Sequence, residues 1–445
     1  MVLLGAIVGA VAIAFADSSI VVLALPQLYA TFDTSIEGIA WVLTSYNLVL
    51  AVVALALVPV VHRVGANVLL GLGSILFLGA SIACALADSL TALVVARSVQ
   101  GLGGAILLAG SLPVLGTLSG STLRGIAIWT TAGTFGAALG PALGGTLAQV
   151  FDWRAIFLAQ APIAGAALLA ARVRVSMSSR DRTAPWFGRT LPANLALTLV
   201  SGALVGALFL GVLLLVDVFS YRPIAGAAIL SLLPGAALLA RPLARNLSIE
   251  IAAGGGAVLL AAGLAGLALL PSSALGAVLA SFALCGAGLG LAVPGLTHAA
   301  LDAEGDVDRR ATLTVALRHL GLVISLVVVA PVLEADLRAA ADVATLNGVA
   351  VVIDGRIPAT TKIPLALDIR DALERAPEGE MPDLTGPFEE HGADADAAVA
   401  RVRNDLEATI EQAVTRGFRR SFLFSGLLAA LTIVPILFIR RRLPT

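Results

Sequence analysis

The chain has 445 residues, 58% hydrophobic and only 13% charged, with a mean hydropathy of +0.97 and a formal net charge of −1. A soluble domain of this length needs about a quarter of its residues charged to cover its surface, so the composition excludes one and points to a chain solvated by lipid. The balanced charge gives no footprint for nucleic acid, and the two cysteines, Cys84 and Cys285, both in apolar runs, support neither a disulfide framework nor a metal site.

A helix needs about 20 apolar residues to cross the hydrocarbon, and the chain supplies twelve such runs. The first has no basic n-region or small-residue cleavage site and reads as span 1, not as a signal peptide. The predicted spans are Val2–Leu25, Gly38–Val60, Val68–Ala87, Thr91–Leu115, Ile126–Val150 and Trp153–Ala171 in a first half. Leu191–Val216, Pro223–Ala240, Ile249–Leu270, Ala274–Leu296, Ala311–Leu333 and Ser421–Ile439 follow in a second. The expected fold class is therefore an all-α polytopic membrane protein with twelve transmembrane helices in two six-helix halves. Gly is abundant, at 45 residues, as suits helices packed closely in a bilayer.

An even number of spans places both termini on one side. With that side cytoplasmic, the inner short loops and tail hold Arg63, Arg124, Arg172, Arg174, Arg180, Arg182, Arg189, Arg241, Arg245, Arg309, Arg310 and Arg440 to Arg442, against Arg154 and Arg222 outside. This positive-inside bias predicts a plasma (inner) membrane protein with both ends cytoplasmic. The expected organisation is an N-terminal half over 1–172, a cytoplasmic linker over 173–190 and five helices over 191–333. An acidic outer insertion over 334–418 and the last helix with a basic tail over 419–445 complete it. Within the insertion, Leu337, Ala340, Ala341 and Ala344 form one helical stripe, and Val399, Val402, Leu406, Ile410 and Val414 another. They predict two amphipathic helices that prolong the last two spans outward and pack together around a proline-containing middle.

Charges inside hydrocarbon are costly and usually functional. Four candidates occur: Asp17 in span 1, Arg97 in span 4, and Arg318 with His319 in span 11. Helix rise puts Asp17 about 13 Å and Arg97 about 9 Å below the same surface, so an ion pair is expected if spans 1 and 4 adjoin. A neighbouring cation favours an ionised carboxylate while burial disfavours it, so a partner that moves makes a proton switch; the plainer alternative is a static pair that orients span 4. Arg97 shares a helix face with Gln100, Gly101, Gly104 and Leu108, as a cavity wall would require. Arg318 shares one with Gly321 and Ser325, and His319 points about 100° away. Span 5 carries Gly136, Gly140 and Gly144 around Pro141, followed by Gly145, a smooth and bendable face suited to a rocking interface.

These stretches resemble the major facilitator superfamily, and within it the drug:proton antiporter branch. The likeness rests on Asp17-Ser18-Ser19 through Pro26 in span 1, Trp41-Val42-Leu43-Thr44-Ser45-Tyr46 in span 2 and Arg97-Ser98-Val99-Gln100-Gly101 in span 4. Gly136 to Gly145 in span 5, Asp152 to Phe157 with Pro162 to Gly165 around span 6, and Leu317-Arg318-His319-Leu320-Gly321 in span 11 continue it in the expected order. The span 2–3 loop departs from the family pattern Gly-x-x-x-Asp-Arg-x-Gly: Arg63 and Gly65 are retained, but His62 replaces the acid of the inner gate. Twelve spans where close relatives often have fourteen, and the long insertion, are further departures.

The resemblance implies a proton-coupled secondary transporter that exports hydrophobic or amphipathic small molecules by alternating access. Asp17 and Arg97 would couple protons, with Arg318 and His319 as further candidates. Tyr46, Asn47, Gln100, Trp129 and Gln160 are expected on the substrate-cavity wall. The expected partners are protons, a small-molecule substrate and membrane lipid, with no nucleic acid, no cofactor and no metal; the oligomeric state is open. The competing reading is a non-transporting scaffold or sensor acting through the insertion. An enzyme is disfavoured, because the spans hold no nucleophile–base pair or metal-ligand cluster.

Overall fold

The computed structural model describes residues 1–173, 175, 188–271, 273–301, 306–355, 357–375, 384–391 and 397–439. Most of the predicted 173–190 linker and the arginines of the C-terminal tail lie outside the described residues. Among those described, all regular structure is helical. Among the described residues, twelve helices are long and apolar enough to cross a membrane. Spans 1 to 6 are Val2–Phe32, Ile36–Leu57, Ala66–Ala85, Leu90–Ser119, Thr122–Val150 and Arg154–Arg172. Spans 7 to 12 are Leu191–Val218, Pro223–Ala244, Ile249–Ala268, Leu275–Leu301, Val307–Ala341 and Ala397–Ile436. Large apolar side chains exposed along them, such as Leu55, Ile75, Val95, Leu139, Val258, Val327 and Leu427, make a surface that only lipid can cover.

The second six spans repeat the packing of the first. Span 1 lies on 5 as span 7 lies on 11; spans 2 and 3 lie on 4 as 8 and 9 lie on 10; span 3 lies on 6 as span 9 lies on 12. The halves meet where span 11 packs on span 2 and span 8 on span 5. The face that carries the 334–418 insertion is the insertion face; Met1 lies at the opposite, terminal face.

Three details differ from the sequence reading. Span 1 does not end before Pro26: an α-helix over Val2–Ile20 gives way to a tighter turn over Val22–Ala24, and a second helix runs over Leu25–Phe32 with Pro26 in its first turn. Proline removes one intrahelical donor and clashes with the carbonyl four residues back, but it is tolerated in a first turn, so the helix restarts there. Span 7 contains two π-helical turns, Gly206–Leu210 and Leu214–Val218, which nothing in its run of Leu and Val announces. The glycine face of span 5 packs within its own half. A Cβ at Gly136, Gly140 or Gly144 would lie 1.9–2.0 Å from Ala12 O, Ser19 Oγ or Ile20 O of span 1. Only Gly145, at the end of that run, meets the other half, at Ala227 and Pro223 of span 8. The face is therefore a weld to span 1 more than a sliding surface.

The insertion is helical and continuous with the spans. One helix runs unbroken over Val307–Asp354, and Ala397–Gly417 leads into Arg419–Leu431. The two pack together, burying Leu337, Ala340 and Ala344 against Val399, Val402, Leu406, Ile410 and Val414; Ala341 is exposed. Between them, Ala359–Arg375 and Thr385–Glu390 form helices where only a proline-containing middle was expected.

Candidate functional site

Asp17 and Arg97 meet. Arg97 Nη1 donates to Asp17 Oδ2, and both side chains are fully buried. Arg97 Nη1 also donates to Gln100 Oε1 at 2.6 Å, and Nε donates to the Val42 carbonyl of span 2 at 3.0 Å. The guanidinium lies 4.4 Å from the centre of the Tyr46 ring and 5.7 Å from that of Phe157, so spans 1, 2, 4 and 6 all hold this one cation. Gln100 extends the cluster: its Nε2 donates to Ser81 Oγ at 3.0 Å and to Gln160 Oε1 at 2.6 Å. Tyr46 Oη donates to the Ala14 carbonyl at 2.8 Å. A buried charge is sustained only when paired and hydrogen-bonded, and here one half of the protein supplies every partner.

Of the residues expected on the cavity wall, Asn47 lines the central cavity of this closed form and Tyr46, Gln100, Trp129 and Gln160 lie behind its lining. Tyr46, Gln100 and Gln160 are each fully buried inside that cluster. Gly101 and Gly104 lie against Tyr46, where a Cβ on Gly101 would come within 2.4 Å of the Tyr46 carbonyl oxygen. The polar, small face of span 4 is thus a packing face for span 2. Trp129 is buried too, with its Nε1 donating to Ser111 Oγ at 3.0 Å and its ring edge-on to Phe15 at 5.1 Å. Asn47 does face the centre, accepting from Ser18 Oγ at 2.8 Å.

The central cavity lies between the halves and has a volume of about 60 Å³. Phe15, Ser18, Ser19 and Asn47 line it from one half; Ser201, Phe209, Arg318 and His319 line it from the other. Drug-sized sites run to about 300–1,000 Å³, so the protein is closed around this space. Arg318 stands over the Phe15 ring at 5.4 Å, and His319 stacks on the same ring at 6.2 Å while Nδ1 bonds the Val315 carbonyl at 2.8 Å. One π-helical turn of span 7 borders the cavity through Leu208 and Phe209; π-turns frequently mark functional positions.

Among the described residues, polar bonds that cross between the halves include two near each face. At the terminal face Arg309 Nη2 lies 2.9 Å from His62 Nδ1, and Arg241 Nη2 donates to Thr131 Oγ1 at 3.2 Å. His62 thus meets span 11 from the loop position where the family carries an acid, with Asp306 pairing Arg309 at 3.3 Å from its other side. Arg63 is exposed, and Gly65 opens span 3, its carbonyl accepting from Val68 and Leu69. Clefts of about 480 and 380 Å³ lie at this face, one lined by His62, Pro113 and Asp306, the other by Thr130, Arg241 and His298. At the insertion face Glu334 Oε2 accepts from the Glu37 N–H at 2.8 Å, and Gln149 Oε1 from the Ile224 N–H at 3.1 Å.

The same fold occurs in a bacterial homolog of the human lysosomal transporter Spinster, solved in inward-facing unoccupied and occupied conformations. The TM-scores are 0.62 and 0.66, at 16% and 15% identity, over 99% and 98% of this chain and 98% and 96% of those chains. Multidrug resistance protein Stp of Mycobacterium tuberculosis is 33% identical over 200 residues, 44% of this chain and 37% of that one. Multidrug efflux pump LfrA of Mycolicibacterium smegmatis is 34% identical over 168 residues, 37% of this chain and 33% of the relative, so the matches span about a third of each relative's length. The profile of the Major Facilitator Superfamily matches residues 7–325; the chain belongs to that superfamily of transporters and, within it, is similar to proteins of multidrug resistance and efflux.

Proposed function

We propose that the protein is a proton-coupled exporter of hydrophobic or amphipathic small molecules, in which the two halves rock about the central cavity. The observation that carries this reading is the fully buried Asp17–Arg97 pair, set in a polar cluster one residue away from cavity-lining Ser18. A neighbouring cation opposes protonation of a carboxylate, and Arg97 Nη1 already shares its bond with Gln100 Oε1 at 2.6 Å, an acceptor that remains when Asp17 takes a proton. Asp17 is then the proton carrier and Arg97 the partner that senses its charge. Asp17 does not line the cavity, whereas Arg318 does. The wall therefore favours neutral or acceptor-bearing cargo over cations. The arginine bias of the loops supports a cytoplasmic terminal face, with the insertion outside a plasma membrane.

The test is drug-driven proton movement in proteoliposomes under an imposed pH gradient. Substrate should drive proton flux in the parent protein, and Asp17→Asn should bind the same substrate without moving protons. Undiminished proton flux in Asp17→Asn would remove the carboxylate from the mechanism.

A further inference from the structure

The two bonds at the insertion face are related by the same repeat that relates the halves. Spans 2 and 8 are equivalent helices, as are spans 5 and 11. Glu334, toward the end of span 11, takes the N–H of Glu37, the second residue of span 2; Gln149, toward the end of span 5, takes the N–H of Ile224, the second residue of span 8. Each acceptor reaches from one half into the other and satisfies one of the N–H groups that a helix leaves open in its first turn. The loops that present these groups match as well. Among the described residues, the only non-glycine positions with positive φ are Asp33, at 44°, and Ser220, at 54°. Each stands three residues before the first residue of its helix, Ile36 or Pro223. Such backbone is unfavourable for residues with a Cβ and persists where its surroundings impose it, so both loops are held in one shape.

We propose that Glu334 and Gln149 are a matched pair of clasps that shut the insertion face, and that their release is a step of the transport cycle. The proposal rests on the alternating-access reading but not on the identity of the proton carrier or the cargo. The clasps are unequal. Glu334 is 7% exposed, carries charge, bonds a helix N-terminus, and is steadied by Arg338 one turn on. Gln149 is neutral and exposed. Glu334 is therefore the principal positioning residue of the closed face. Ser35 supports it from within the first half, its Oγ accepting from the Gly38 N–H at 3.0 Å and leaving Glu37 N–H for Glu334.

The test measures distance and needs neither substrate nor gradient. In a Cys84→Ala, Cys285→Ala background reconstituted in nanodiscs, spin labels at Thr31→Cys and Arg222→Cys report separation of the halves at this face. Glu334→Ala should raise the population at longer distance about tenfold, and Gln149→Ala about threefold, in line with charged and neutral hydrogen bonds. Glu334→Gln, which keeps an acceptor, should fall between Glu334→Ala and the parent. A distribution unchanged in folded Glu334→Ala would overturn the proposal. Should Glu334→Ala fail to fold, an unchanged distribution in both Glu334→Gln and Gln149→Ala would overturn it equally. Loss of proton coupling in Asp17→Asn with intact clasp behaviour would separate this proposal from the functional reading.

Discussion

Replacing Gly144 by alanine would set a Cβ 2.0 Å from the Ile20 carbonyl oxygen and 2.9 Å from its carbon, both backbone atoms of span 1 that no rotamer can move. Ordinary contact begins at 3.4 Å, so span 5 would have to retreat by about 1.4 Å, the difference of the two distances. That retreat stretches Gln27 Nε2 to Ala148 O, now 2.8 Å, and Ser19 Oγ to Ala137 O, now 3.1 Å. Overpacking costs about 1–3 kcal/mol and a weakened hydrogen bond about 1 kcal/mol, for a total of about 2–4 kcal/mol. If the six-helix half unfolds as a unit, thermal unfolding in nanodiscs should drop by about 5–10 °C. The control is Gly254→Ala in span 9, where a Cβ meets nothing within 4 Å and alanine should be neutral or stabilising by up to about 1 kcal/mol. Equal unfolding temperatures for the two variants would refute the reasoning that span 5 is welded to span 1.

Arg97→Lys should fold but lose substrate-driven proton flux in proteoliposomes. An ammonium cannot reproduce the Nε bond to Val42 O, the shared Nη1 contacts and the stacking on Tyr46 at once. Gln100→Ala leaves Ser81, Gln160 and Arg97 each short of a partner, and should lower stability by about 2–3 kcal/mol in reversible unfolding. His62→Asp should tighten the terminal face. A carboxylate opposite Arg309 replaces a ring nitrogen at 2.9 Å, and spin labels across that face should show the short-distance population enriched by roughly tenfold, as for a charge-assisted bond.

The spans were legible because hydrocarbon demands long apolar runs whose backbone bonds close internally, and twelve runs met that demand. The Asp17–Arg97 contact was legible because charges in such runs are rare and these two share a depth. The partners of a polar face were not legible. A helical wheel places Gln100, Gly101 and Gly104 on one side of span 4, but whether that side meets a cavity or Tyr46 depends on the neighbouring helix. The clasps were invisible for a stronger reason. Their donors are backbone N–H groups of Glu37 and Ile224, which every non-proline residue carries, and Glu334 reads only as the first acid of an acidic segment. The helical insertion was partly visible through its stripes, while Ala359–Arg375 and Thr385–Glu390 lay in the proline-containing middle, where no apolar stripe was read.

The bonds across the two faces are balanced. The insertion face has one charged and one neutral acceptor on backbone N–H groups; the terminal face has two arginines on neutral acceptors, His62 and Thr131. The insertion-face bonds are worth about 2–4 kcal/mol and the terminal-face bonds about 3–6 kcal/mol, so the two faces differ by only a few kcal/mol. Alternation requires this, because a state disfavoured by much more than a few kcal/mol is scarcely populated. The balance yields a test that single substitutions cannot provide. If the halves rock as rigid bodies, opening one face closes the other. Glu334→Ala then favours the form open at the insertion face, and Arg309→Ala the form open at the terminal face. Both bond sets are formed in the structure, so each loss also depletes the form closed at both faces, and in the double variant both open forms grow while their ratio returns toward the parent. What separates the two mechanisms is a molecule open at both faces, which rocking of rigid halves excludes and independent fraying allows. A population long at both pairs of spin labels in one molecule of the double variant would refute the rocking mechanism.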